Sequence, residues 1–428
     1  AEAASSARVR EELAHYKIEE IVPLEWAEVF MQSVNTFLIV LKKEPVTPHH
    51  TLKIRQGIRH LSQLEDLSAG SITEINQKEW VDLSPDRSWR LEVTAEDIPI
   101  LNKLKNYPKP FRGSYGMALR AKKEMISSDP SKLRNPQPIL DGREVKSWAI
   151  EWQGRYVDYI PEEISDPKSP DFFKPPLILM PEISLTTNAV VIEDNFFFKN
   201  TLLRVDHESS DPYVSAAIIN STLNRYFAAL LLRSGIIQKG WSHFYPRVIS
   251  QFISPPNWLK VEKGLGELSR LCHQLADEIS RGEYRVSTEL DRLVEGSPRR
   301  LCDLPEVQFG SFDQVKLETI SLDEREGLVS DSSLVLAKGP FGALFFVFFY
   351  SQFKGREVLR KKELESHPLP ADESTLLKAN SIIRDWLDRK PTLMDQLEET
   401  EAKMDDLIFS ASDLTSKEIE TIRRRVSE

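Results

Sequence analysis

Cysteine is almost absent from this chain of 428 residues: Cys272 and Cys302 are the only two. A disulfide framework is therefore excluded, and a reducing, cytoplasmic setting is expected. No CxxC pair occurs, so no structural zinc site is expected. Glycine-rich phosphate loops are missing as well. There is no GxGxxG behind a strand and no GxxxxGK[ST], which excludes the usual backbone cradles for dinucleotides and nucleoside triphosphates. GxSxG and HExxH are absent, which removes two common hydrolase designs. No uninterrupted apolar run reaches the roughly 20 residues of a bilayer span. The most apolar stretch, 334–350, is broken by Lys338, Gly339 and Pro340. Its part 341–350 reads as a buried strand or core-facing turn. The opening AEAASSARVREEL lacks the apolar core of a signal peptide. No repeat recurs at a fixed period.

What is present is enough for real cores. Hydrophobic residues make up 40% and charged residues 29%, which excludes wholesale disorder. The length suits two or three domains. Net charge is −10, but it is unevenly spread. Residues 101–140 carry nine basic and two acidic side chains, and 221–260 carry five basic and none acidic. Two concentrated basic segments in an acidic protein suit local contact with a polyanion. The plain alternative is charge scattered over a solvated surface.

The pattern changes along the chain. A charged helical stretch opens it, followed by strand-type runs in KIEEIVPLEW and at 37–41; a run of five apolar residues predicts a strand buried on both faces. Residues 46–100 are polar and proline-marked, and read as a linker region with a helical pattern around Ile98, Leu101 and Leu104. Short strands are expected at 148–152, 156–160, 177–180, 189–192 and 196–198, separated by Pro, Gly, Asn and Asp. A helix is expected over 212–233, capped by Asp211 with Pro212 in its first turn. From 259 onward the period is helical, with a β-rich interlude at 305–350 and a final helix opened by a Thr415/Glu418 capping box.

Chemistry-bearing clusters are few. His49-His50 lie in the linker-like segment and His273 in a helical one, where packing is the expected role. Glu162-Glu163 and Asp405-Asp406 read as solvated carboxylates. Ser254-Pro255-Pro256-Asn257 is similar to the [DNS]PP[YF] loop of amino-group methyltransferases, but Asn257 stands where an aromatic would stack on a flipped base. It reads instead as a domain-boundary linker.

Several phrases resemble one family. ILDGREVKSW (139–148), GRYVDY (154–159), KPPLILMPEI (174–183), AIINSTLN (217–224), IQKGW (237–241) and ISPP (253–256) are similar, in order and spacing, to the TaqI-like C-terminal specificity domain of adenine-specific DNA methyltransferases and fused restriction-modification enzymes. DDLIF (405–409) and DLTSKEI (413–419) resemble the usual ending of such chains. Residues 17–43 resemble the last strands of the methyltransferase sheet. No counterpart of the cofactor-binding part or of the catalytic loop is present.

The resemblance implies an α+β protein. Residues 1–45 would be the last strands of a methyltransferase catalytic domain, a remnant of its sheet, and 46–100 a linker. Residues 101–256 would form a mixed α/β DNA target-recognition domain, and 257–428 a mainly helical region with the β-rich insert. The implied function is sequence-specific recognition of double-stranded DNA for an adenine-specific methyltransferase of a restriction-modification system. S-adenosylmethionine would belong to the parent enzyme, with no cofactor, metal or catalytic residue in this chain and no membrane contact. The partner would be the methyltransferase catalytic domain, in the same polypeptide or in another subunit. Candidate DNA contacts are Arg112, Tyr115, Arg120, Lys122, Lys123, Lys132, Arg134 and Arg143, then Gln238, Lys239, Trp241, His243 and Arg247. Gln238 and His243 suit base edges, whereas Lys239 and Arg247 suit phosphates. FRGSYG (111–116) looks built for close backbone approach, and the two segments are expected on one face. The alternative is a non-enzymatic protein-interaction scaffold whose basic patches are incidental.

Overall fold

A computed structural model describes residues 4–24, 36–58, 61–66, 70–83, 89–119, 125–209, 211–232, 242–295, 300, 362–363, 366, 368 and 372–427, with six short strands between 307 and 360. It divides into two compact units, residues 1–274 with 399–428, and residues 275–398. The expected boundary near 256 is not where the chain divides. Phe252, Ile253 and Ser254 are fully buried in the first unit, and the Ser254 N–H donates to the Pro108 carbonyl.

The first unit opens with helix α1 (Ala4–Ala14) and strands β1 (Tyr16–Pro23), β2 (Phe37–Pro45), β3 (Thr51–Gln56) and β4 (Ser71–Asn76). They form one sheet in the order β2-β1-β3-β4. Residues 46–100, expected as a linker, thus supply half of its strands, then helices α2 (Gln77–Asp82) and α3 (Asp97–Leu104). The signal lay in TLKIRQ, where Leu52 and Ile54 are buried while Thr51 and Lys53 are exposed. That two-residue period was hidden by polar neighbours. Strands β1 and β2, expected to join a sheet outside this chain, find partners within it. Strand β2 is also not buried on both faces. It lies at the sheet edge, with Leu38 46% and Val40 55% exposed.

The central region contains β5 (Arg112–Tyr115), β6 (Ile126–Ser127), β7 (Pro136–Leu140), β8 (Tyr156–Asp158), β9 (Leu177–Pro181), β10 (Ile183–Ser184), β11 (Val190–Ile192), β12 (Phe197–Phe198) and β13 (Leu202–Asp206). Two sheets form, β11-β9-β13-β5 and β12-β7-β8-β6. They enclose a core that includes Ile139, Val157, Phe173, Leu179, Phe197 and Phe198. The strands expected at 156–160, 177–180, 189–192 and 196–198 are present, though shorter at some ends. The one expected at 148–152 is a loop, because Trp148 adopts a left-handed backbone (φ 69°) that strands do not tolerate.

Helix α4 (Pro212–Asn220) starts as expected, with the Asp211 side chain accepting from the Tyr213 N–H and Pro212 in the first turn. It is not continuous to 233. Ser221 is extended (φ −63°, ψ 151°) and caps a second helix, α5 (Thr222–Phe227), by accepting from the Asn224 N–H. A short strand β14 (Ser242–His243) and helix α6 (Pro246–Ile249) follow, then α7 (Glu262–Val294). Far along the chain, α8 (Glu373–Ser410) and α9 (Ser416–Ser427) close it. The capping box at α9 is made: Glu418 accepts from the Thr415 N–H at 2.7 Å, and Thr415 accepts from the Glu418 N–H at 3.4 Å.

Residues 399–428 return to the first unit through polar contacts. Asp405 accepts from the Thr222 N–H at 2.9 Å and from its hydroxyl. Asp97, fully buried, accepts from the Thr94 N–H and hydroxyl and from the Tyr226 hydroxyl, and lies 3.5 Å from Arg425.

In the second unit, Glu278 pairs with Arg389 at 2.6 Å, and Glu283 with Lys390. Gly282 lets α7 lie against Trp386, whose ring would stand 2.2 Å from any added Cβ. The expected β-rich interlude is present as two small antiparallel sheets. The expected strand at 341–350 lies outside the described residues.

Candidate nucleic-acid interface

Strand β5 is the hinge of the candidate surface. It pairs antiparallel with β13, Arg112 opposite Asp206 and Tyr115 opposite Leu203. Helix α6 lies directly on it: a Cβ at Gly113 would meet Ile249 Cβ at 3.0 Å and Pro246 Cα at 3.1 Å. Gly116 is tighter still, with the Lys199 carbonyl oxygen 2.4 Å and the Phe198 carbonyl oxygen 2.5 Å from where a Cβ would sit. The glycines of FRGSYG do serve close backbone approach, but toward the protein's own elements rather than an outside ligand.

The described parts of the two segments, β5 and residues 242–249, lie against each other, and Glu182 sits at the second. Strand β9 is buried along its whole length and ends at Pro181. There the Glu182 N–H donates to the Thr201 carbonyl, and the Glu182 carbonyl accepts from Phe244 N–H at 2.7 Å. Those bonds set Ile183 opposite His243 in the β10–β14 pair. His243 Nε2 consequently lies 2.8 Å from Glu182 Oε1. Tyr115 lies near the same carboxylate: burial, together with Glu182, pushes its phenol up to about 12. Tyr245 packs on the His243 ring at 4.1 Å, and the Arg247 guanidinium stands 5.5 Å over the Tyr245 ring.

In-out alternation explains the aromatics of SHFYPR. Ser242 and Phe244 are buried, whereas His243 and Tyr245 are partly exposed and Arg247 is exposed. The other predicted contacts divide. Arg112 and Arg143 are exposed. Lys132 is paired with Asp129, and Arg134 with both Asp158 and Glu163. Arg134 thus has two carboxylate partners, and Lys132 an exposed one at 3.7 Å. Arg120, Lys122, Lys123, Gln238, Lys239 and Trp241 lie outside the described residues. Sequence reasoning missed Glu182, Ile183 and Leu185. The apolar pair is 44% and 53% exposed beside the carboxylate. The available signal was a charged residue directly behind a run of strand-forming apolar residues.

The remaining candidates are structural. His273 Nε2 accepts from the Val191 N–H, its Nδ1–H donates to the Ser269 carbonyl, and burial lowers its pKa to about 4. His50 contacts the Ile18 carbonyl at 2.9 Å. Of the carboxylates expected to be solvated, Asp405 is held by Thr222, and burial raises its pKa. The Ser254–Asn257 loop does not fit an amine-accepting role. Its first two residues are buried, and the Asn257 N–H donates to the Ala411 carbonyl. Among the described residues no cluster suits a metal ion, and no helix is long and apolar enough to cross a membrane.

The described residues form a mixed α/β arrangement of small sheets with a helical C-terminal region. Residues 137–240 match the family model of the TaqI-like C-terminal specificity domain, so the recognition made from the phrases at 139–256 holds over most of that span. No curated protein sequence matches the chain. Similar solved structures include the type IIG restriction endonuclease BpuSI, at 14% identity over 63% of this chain and 40% of that one, TM-score 0.30. The type I restriction-modification S subunit from M. genitalium is 12% identical over 72% of this chain and 95% of that one, TM-score 0.31. The type IIL restriction-modification enzyme MmeI, in complex with DNA, is 10% identical over 91% and 46%, TM-score 0.35. The chain thus spans less than half the length of the type IIG and type IIL enzymes.

Proposed function

We propose that this chain is the portion of a restriction-modification enzyme that recognises a specific sequence in double-stranded DNA. In this reading the system is an adenine-specific methyltransferase, and the chain positions the target adenine. Methyl transfer belongs to a catalytic domain, in the same polypeptide or a partner subunit, which also holds S-adenosylmethionine. The observation that carries the reading is the specificity-domain match at 137–240, which includes Glu182 and borders the His243–Arg247 segment that meets it. Flipping an adenine out of a duplex requires another surface to hold the flanking site. Cations such as Arg112 and Arg247 would position the backbone while groups around Glu182 face base edges.

Duplex binding by fluorescence anisotropy across salt concentrations tests it. With about five phosphates neutralised, log K falls against log salt with a slope of roughly −4 to −5. No binding at low salt, or binding insensitive to salt, favours the protein-interaction scaffold instead.

A further inference from the structure

A carboxylate on a DNA-facing surface is repelled by every phosphate, so its presence needs a compensating contact. Glu182 is held by His243 Nε2 at 2.8 Å. A carboxylate offers about four lone-pair sites, so acceptor capacity remains. Ile183 and Leu185 flank these acceptors and are largely exposed. The patch therefore offers acceptors and apolar surface to a ligand that brings an N–H donor.

We infer that Glu182 is a specificity-determining residue that accepts a hydrogen bond from the exocyclic amino group of a cytosine in the major groove, with His243 holding it in place. The inference rests on the DNA-recognition function proposed above. Cytosine is favoured over adenine because the adenine N6 amino group lies beside the N7 acceptor, which repels a carboxylate, whereas cytosine presents its N4 donor alone. Guanine and thymine present only acceptors or a methyl group there. The exposed Ile183 and Leu185 suit the unsubstituted C5 edge next to that amino group.

The test selects preferred duplexes from a randomised library with the full chain and with Glu182→Gln, at one fixed salt concentration. The wild-type chain is expected to require cytosine at one or more positions. Glu182→Gln is expected to relax that requirement about tenfold, with the salt slope unchanged. A second arm presents both proteins with the required cytosine replaced by 2-pyrimidinone, which lacks the amino group and leaves C5 unsubstituted. Wild-type affinity should fall about tenfold, and Glu182→Gln affinity should be nearly indifferent. Uniformly tighter binding of Glu182→Gln to all sequences, or an unchanged preference in both arms, overturns the inference while leaving DNA recognition standing. Absence of any duplex binding by the wild-type chain overturns both. Because the wild-type measurement in the second arm needs no folded variant, a misfolded Glu182→Gln does not protect the inference.

Discussion

The indole N–H of Trp148 donates to Glu401 Oε1 at 2.7 Å, across 253 positions of sequence. Trp148 is 2% exposed and holds a positive φ of 69°, an unfavourable state for a bulky side chain. Glu401 also lies 3.5 Å from Arg225, and one turn later Asp405 holds Thr222. Two carboxylates four residues apart on α8 thus fasten the C-terminal return to the specificity domain.

Glu401→Ala should destabilise the first unit by about 1–3 kcal/mol, because it leaves a buried indole N–H without an acceptor. Glu401→Gln keeps an acceptor and should lose less. Urea denaturation followed by tryptophan fluorescence measures both, and equal losses would contradict the hydrogen-bond account.

Acid should weaken the fold between about pH 6.5 and 4. His273 and His207 each have a pKa lowered by burial from 6.5 to about 4. Through that window the unfolded chain binds more protons than the folded one, so stability falls as pH falls. For His273 the full effect approaches about 3 kcal/mol. Asp405, raised by burial, acts in the opposite sense. Denaturation midpoints at pH 7, 6 and 5 give the slope, and a flat profile would refute it.

Gly116→Ala should destabilise by about 1–3 kcal/mol, since the added methyl meets two backbone carbonyls that cannot turn aside. Gly154→Ala provides the contrast. It has open space around it, so any loss there reflects only its positive φ of 68°. Thermal melting of the two variants separates crowding from backbone strain.

Under the proposed function, the cations should differ in DNA binding. Arg112→Ala and Arg247→Ala are each expected to weaken binding about uniformly across sequences and to reduce the salt slope by about 1. Arg134→Ala should leave the slope unchanged, because Asp158 and Glu163 already neutralise that guanidinium. A slope change with Arg134→Ala would mean those pairs open on binding.

The chain alone should transfer no methyl group. Incubation with tritiated S-adenosylmethionine and an adenine-rich duplex is expected to give label at the buffer level. Label well above that level would overturn the assignment of catalysis to another domain.

The sequence by itself determined what depends on neighbours in the chain. The all-buried strand at Leu177–Pro181, the Asp211 cap with Pro212, and the Thr415/Glu418 box are local chemistry, and each is found where the residues predict it. The family phrases were likewise legible because their order along the chain carries the information. Tertiary structure decided whatever depends on distant partners. The sheet that pairs 51–56 with 16–23 joins segments whose polar composition hides their common face. The positive φ of Trp148 is stabilised by contacts that include Glu401, which no local pattern anticipates. Charge counting could not tell the neutralised Arg134 from the exposed Arg112, since neutralisation is set by Asp158 and Glu163 in space. Glu182 gained its place for the same reason: a hydrogen bond to His243, 61 positions away, exists only once β10 and β14 have paired.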